Sequence, residues 1–270
     1  MVKFTGANRL MGDRPGVFDG HAHVFDASLL MAPNRRYTPD ASAFMDDYVG
    51  HLNQAGLSGA ILVQPSFLGS DNRYLLDAIR QGNSQTDLRF GCVVVVEAEI
   101  AEEELNAFAS AGVIGLRLNL IGQDKPLDLA RWAPVLRFAQ AHNWHVELHC
   151  EGPRLAGLLD ALSDKCPRIV VDHFGLPNPA APLKCEGLQA VARMPAGQVF
   201  VKLSAPYRVF KDLPSADAML ACLPLVDALL AAVGPEQLLW GSDWPWTQFE
   251  GKHRYSDCVS WLELMSTRAG

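Results

Sequence analysis

"WHVELHCEGPRLAGLLDALSDKCPRIVVDHF" (residues 144–174) spells out a strand, a helix and a second strand in one continuous stretch. "WHVELHC" is a short apolar run, "RLAGLLDALS" is helix-like, and "RIVVDHF" is short, apolar and β-branched again. Two strands joined through a helix lie parallel, because the connection must carry the chain back along the sheet before the second strand starts.

Outward from this unit the pattern repeats. Upstream, "GVFDGHAHV" is followed by a loop and a helix opening at Thr38-Pro39, with threonine as N-cap and proline at the first helical position, closing at Gly56. "GAILVQ" precedes a helix from Asp71 to Gly82. "RFGCVVVV" precedes one across "AEEELNAFASAG", and "VIGLRLNL" one from Leu129 to His142. Downstream, a Pro-rich loop leads to a short helix near Leu188. "QVFVKLS" is followed by a helix through "ADAMLACLPLVDALLAAV", and "QLLWGSD" by one near "YSDCVSWLELM". Eight strand–helix units in 270 residues predict an α/β fold of the closed (β/α)8 TIM-barrel type. It is expected as a single domain over 1–270, with 1–16 as an N-terminal extension. The competing fold is an open doubly wound sheet, but no G-x-G-x-x-G follows the first strand to mark a dinucleotide site.

A hydrophobic share of 49% supports a sizeable core. The net charge of -7 argues against nucleic acid or an anionic membrane as partner, and leaves a small anionic substrate open. The six cysteines form no C-x-x-C pair and lie among apolar residues, so free buried thiols in a reducing compartment are expected. The N-terminus lacks an apolar signal core, and no apolar run reads as long enough to cross a bilayer. The expectation is a cytoplasmic monomer or homodimer.

In such a barrel the chemistry lies at the C-terminal ends of the strands, so polar residues there carry the information. Strand one ends in His21 and His23, and strand two in Gln64, followed by Ser66. Strand four carries Arg117 and Asn119, strand five Glu147 and His149, and strand six Asp172 and His173. Strand seven carries Lys202 and Ser204, then Tyr207 and Arg208, and strand eight ends in Ser242 and Asp243. Strict alternation sets Asp19, His21 and His23 on one face, with both histidines in the barrel mouth.

Each residue taken singly has a packing explanation. Glu147 lies between His145 and His149 and would pair with one. Arg117 would pair with Glu147, Lys202 with an interior carboxylate, and Asp243 would cap a turn. Trp240, Trp244 and Trp246 would pack or line a pocket, and His51, His142 and His253 read as solvated. Packing does not explain the set. Every buried polar group costs free energy unless satisfied, and these share one rim.

Neutral imidazoles and a carboxylate can hold a divalent metal. His21, His23, His149, His173 and Asp243 are the candidate ligands for Zn²⁺ or Mn²⁺, which would lower the pKa of a bound water to about 7. The same groups also work with no cofactor. Histidines would donate to a carbonyl oxygen, while Asp243 takes a proton from water and returns it to the leaving oxygen. Both routes give hydrolysis at a carbonyl. No G-x-S-x-G elbow is present for a serine nucleophile. Arg117 and Arg208 point to an anionic substrate. Tyr207, Ser66, Ser70, Asn72 and Asn119 would add neutral hydrogen bonds.

The H-x-H of His21 and His23, with His173 and Asp243, resembles the amidohydrolase superfamily (amidohydrolase family 2). "VQPSFLGSDNRYLLDAI", "GLRLNL", "VVDHFGLP", "VKLSAPYR" and "WGSDWPWT" resemble its lactonase branch, which opens pyrone dicarboxylates, muconolactones and sugar lactones. The resemblance implies a (β/α)8 barrel that hydrolyses the ester ring of a carboxylated lactone. His21, His23 and His173 would polarise the carbonyl, Asp243 would activate water, and Arg117 and Arg208 would hold carboxylates. Three departures stand out. Gln123, with Lys125 nearby, stands six positions after Arg117, where the pyrone dicarboxylate enzymes carry a second arginine. His149 occupies the strand-five position where metal-binding members carry a ligand. The sequence ends at Gly270, soon after helix eight begins and where the family usually continues, which predicts weaker packing under that helix. A metal-dependent decarboxylase or amide hydrolase on the same barrel is the alternative function, and a ligand-binding barrel without activity a third.

Overall fold

A computed structural model describes residues 4–123 and 125–269. Met1–Lys3 of the expected extension and Gly270 lie outside the described residues. Eight parallel strands form one sheet in the order β1 to β8. They are β1 (Phe18–Ala22), β2 (Gly59–Val63), β3 (Arg89–Val94), β4 (Val113–Asn119), β5 (His145–His149), β6 (Ile169–Val171), β7 (Val199–Ser204) and β8 (Leu238–Gly241). Two backbone hydrogen bonds close the ring just past β8. Asp243 N donates to His21 O at 2.8 Å, and His23 N donates to Trp244 O at 2.8 Å. This is the expected TIM barrel, and its closing seam joins the H-x-H to the strand-eight aspartate.

The barrel interior is apolar at the bottom and ionic at the top. Phe18, Ile61, Val63, Val93, Val170, Phe200 and Leu239 fill the lower part. Helix α1 (Gly6–Leu10) closes that end with Ala7 and Leu10, so part of the extension is a plug. Outward-facing strand residues such as Leu62, Leu116, Val146, Val171 and Val201 pack under the helical layer. All six cysteines are buried and unpaired.

Alternation along β1 fails. Its pairing with β2 shifts register between Asp19 and Ala22, which marks a bulge. His21 and His23 reach the mouth, but Asp19 turns to the helical layer. There it accepts from Tyr48 of α2 (Met45–Gln54) at 2.9 Å and from Tyr255 of the last helix (Tyr255–Ser266) at 2.8 Å. Gly241 makes room for the bulge, since a Cβ there would lie 2.7 Å from that of His21.

The helix expected at Thr38-Pro39 starts at Met45 instead. Ala43 is committed to a two-way backbone bridge with Phe25 (2.8 and 2.9 Å), so the chain stays extended up to that point. The helix expected through 216–233 is two, Ser215–Ala221 and Leu223–Val233. Against expectation, the 215–233 segment is long and apolar enough to cross a membrane by length and composition. In the fold, Leu225, Val226 and Leu229 of the second of these helices are buried in the core.

Candidate active site

The mouth of the barrel opens into a cleft at the end where ligands bind in this architecture. His23, Ser66, Arg117, Asn119, His149, His173, Arg208 and Asp243 all line it. Tyr207 and His21 lie just behind. Ser70 and Asn72 do not join them. Asn72 clamps the backbone of Val95 with both ends of its amide (2.8 and 3.0 Å), and Ser70 borders a separate groove with Glu97 and Glu99.

Asp243 is fully buried, and its two oxygens differ. Oδ2 accepts from Tyr207 Oη at 2.5 Å and from Arg208 Nε at 2.7 Å. Oδ1 accepts no hydrogen bond, and faces Nε2 of His21, His23 and His173 at 3.4, 3.6 and 3.9 Å. Burial alone would raise its pKa. The Arg208 cation, with His173 and His23, outweighs burial and holds the carboxyl well below the usual carboxylate range. Asp243 (φ 57°), His173 (φ 49°) and Ala205 (φ 50°) all adopt left-handed backbone at the ends of strands. Such residues cost roughly 1–3 kcal/mol each and collect at functional sites.

Beneath the cleft lies a four-membered ionic cluster. Lys202 Nζ donates to Glu147 Oε2 at 2.5 Å and lies 3.3 Å from Asp172 Oδ1. Arg117 donates to Asp172 Oδ2 through Nε (3.0 Å) and Nη2 (2.7 Å), and lies 3.3 Å from Glu147. Glu147 therefore serves the two cations rather than a neighbouring histidine, with His145 Nε2 only within 3.9 Å. Arg117 and Arg208, read from sequence as carboxylate grips, line the cleft and each also pairs with a buried aspartate. Gln123 turns its amide back onto Asn119 O at 2.8 Å and adds no charge.

Two groups bring potential metal ligands together: His21, His23 and Asp243, and His21, Asp172 and His173. His149 belongs to neither, although its buried Nδ1 has no hydrogen-bond partner. The ligand-atom spacing would suit a metal, but the protons would not. His21, common to both groups, has Nδ1 only 2.7 Å from Lys202 Nζ. An ammonium can only donate, so Nδ1 accepts and the ring proton sits on Nε2. That nitrogen, turned to Asp243 Oδ1 and to His23 Nε2 at 3.3 Å, then has no lone pair for a metal. His23 completes the chain by donating Nδ1–H to Val63 O at 2.7 Å. Donation from Lys202 thus takes His21 out of both candidate ligand groups.

Burial pulls the His173 pKa down to about 4, against the attraction of Asp243 and Asp172. Burial also lowers His21 and His149 well below the ordinary 6.5. Between the two values the unfolded chain binds a proton at His173 that the folded chain refuses, so stability falls as pH falls through this window. A shift of this size corresponds to about 3 kcal/mol. Urea unfolding should show declining stability from pH 7 toward pH 4, with a shallower decline in His173→Gln. An unchanged slope in the variant would remove His173 as a source.

Sequence reasoning missed several lining residues: Arg36 and Tyr37 from the loop after β1, Phe67 after β2, and Thr247 and Gln248 after β8. These loops have no periodicity to read. The one available signal was position, because loops following barrel strands overlie the mouth. His253, read as solvated, is buried against Tyr207 (ring centroids 4.2 Å) and shares a hydrogen bond with Ser215 at 3.0 Å.

An eight-stranded parallel barrel with histidines and an aspartate gathered at its C-terminal mouth defines a hydrolytic barrel enzyme. The chain matches the amidohydrolase family model Amidohydro_2 over residues 18–264, and belongs to that family. It is 28% identical over 238 residues to a 4-sulfomuconolactone hydrolase of Hydrogenophaga intermedia, covering 86% of this chain and 75% of that one. A Pseudomonas putida structure assigned provisionally as a 2-pyrone-4,6-dicarboxylic acid hydrolase superposes with a TM-score of 0.83 at 38% identity, covering 93% of this chain and 91% of that one. An Acinetobacter baumannii structure with the same provisional assignment, holding citric acid, gives 0.84 at 29%, covering 93% and 92%.

Proposed function

We propose that the protein hydrolyses the ring ester of a small carboxylated lactone, with Asp243 as the base and no metal cofactor. The observation that carries this is Asp243 Oδ1, a buried carboxylate oxygen at the cleft with no hydrogen-bond partner, beside three imidazoles. Glu147 Oε1 and Asp172 Oδ1 also lack hydrogen bonds, but each has a cation at 3.3 Å. Among the described residues lining the cleft, Asp243 Oδ1 is the carboxylate oxygen left for a water.

The steps follow from the proton inventory. Asp243 Oδ1 takes a proton from water as the oxygen adds to the ring carbonyl carbon. It returns that proton to the ring oxygen as the acyl C–O bond breaks, giving a hydroxy acid. Ser204 Oγ lies 2.8 Å from His173 Nδ1, and by donating there leaves the His173 proton on Nε2, directed to the cleft. His173, His149 and His23 border the space for the carbonyl oxygen. His21 is fully buried and does not line the cleft, so it acts through Asp243 and His23 as a positioning residue. The lactone-hydrolase names of the relatives support this chemistry, and the citric acid in the Acinetobacter structure supports a carboxylate ligand.

The test is proton release on a panel of muconolactones, 2-pyrone-4,6-dicarboxylate and aldonolactones. At least one carboxylated lactone should open to its hydroxy acid. Release of CO₂ from an aromatic acid with every lactone intact would contradict the proposal.

A further inference from the structure

We infer that Arg36 receives the substrate carboxylate, and that the substrate carries a single carboxylate close to its lactone ring. The nature of the ligand rests on the function proposed above. The assignment of the arginine rests on charge pairing. Three arginines line the cleft: Arg36, Arg117 and Arg208. Arg117 and Lys202 are matched by Asp172 and Glu147, and Arg208 is matched by Asp243. Arg36 has no carboxylate within ion-pair distance among the described residues. Its hydrogen bonds go to neutral oxygens, Nη1 to Ile121 O at 2.8 Å and Nη2 to Asn119 Oδ1 at 3.1 Å. A guanidinium has five N–H donors, so three remain for an anion.

The loop that carries Arg36 is fixed across the mouth. Tyr37, the next residue, donates its hydroxyl to Glu250 in the loop after β8, and its ring packs edge-on against Phe67, with centroids 6.0 Å apart. The arginine is thus held over the cleft from the side of β4, with its fork anchored at one edge. Burial and the cations of Arg117 and Arg208 lower the Arg36 pKa, against the attraction of Glu151, which lies beyond ion-pair distance. One unmatched cation calls for one carboxylate. A second carboxylate would find only arginines that are already neutralised.

The experiment uses the full-length protein and ligands that it cannot hydrolyse: benzoate, benzamide and benzene-1,3-dicarboxylate, titrated by calorimetry. Wild type should bind benzoate on the order of tenfold more tightly than benzamide, from one charge-assisted pair at a partly exposed site. Arg36→Gln keeps donors for Asn119 and Ile121 but lacks charge, and should abolish that ratio. Arg36→Lys should restore part of it. Benzene-1,3-dicarboxylate should bind no more tightly than benzoate. The inference is overturned if wild type shows no preference for benzoate, or if Arg36→Gln, folded by its melting temperature, retains it. Tenfold tighter binding of the dicarboxylate would overturn the single-carboxylate part. Because the probes have no ester, the result stands apart from whether any lactone is opened.

Discussion

Asp243→Asn should lower kcat for lactone opening by about 10²–10⁴-fold, the usual contribution of a positioned base. The amide can still accept from Tyr207 and Arg208 at the position of Oδ2, so the shape of the site is retained. What disappears is the lone pair at Oδ1, the one acceptor turned to the three Nε2 atoms. The check is the rate of proton release at saturating lactone, beside a melting curve, because Arg208 loses its charged partner. A folded variant with near-wild-type kcat would mean that another group takes the proton from water.

Lys202→Met should be strongly destabilising. Lys202 is fully buried and is shared by Glu147, Asp172 and His21. Methionine fills the space but leaves two carboxylates with Arg117 alone. Removing one partner from a buried ionic cluster costs about 3–5 kcal/mol. At roughly 2–4 °C per kcal/mol for a chain of nearly this size, the melting temperature should fall by about 6–20 °C. The same change frees His21 Nδ1 to carry the ring proton, so Nε2 becomes a ligand atom. The variant should therefore bind Zn²⁺ more tightly than wild type, measured by titration of folded protein below its melting point. Unchanged stability would show that the cluster is not the ionic core of the barrel.

The eight strands were legible because a strand buried on both sides must be short and almost wholly apolar, as in "GAILVQ" and "RIVVDHF". For the same reason the polar residues interrupting those runs were visible, and His23, Arg117, His149, His173 and Asp243 do meet at one cleft. The bulge at Asp19–Ala22 was not legible, because it arises from how β1 pairs with β2 rather than from any local pattern. The separation of roles between His21 and His23 was hidden too. It depends on Lys202, 181 positions away in the chain, donating to one ring nitrogen. Arg117 read as a substrate grip because sequence shows the charge but not that Asp172 already holds it. Arg36 went unread for the opposite reason, since a loop arginine looks solvated until the fold lays that loop across the mouth.

The most direct test is proton release from a carboxylated lactone by enzyme stripped with chelator, with the metal content of the same sample measured by elemental analysis. Full turnover at a metal-to-protein ratio near zero is the predicted result. Activity that vanishes on stripping and returns in proportion to added Zn²⁺ or Mn²⁺ would contradict it, and would mean that Lys202 does not hold the proton of His21 on Nε2.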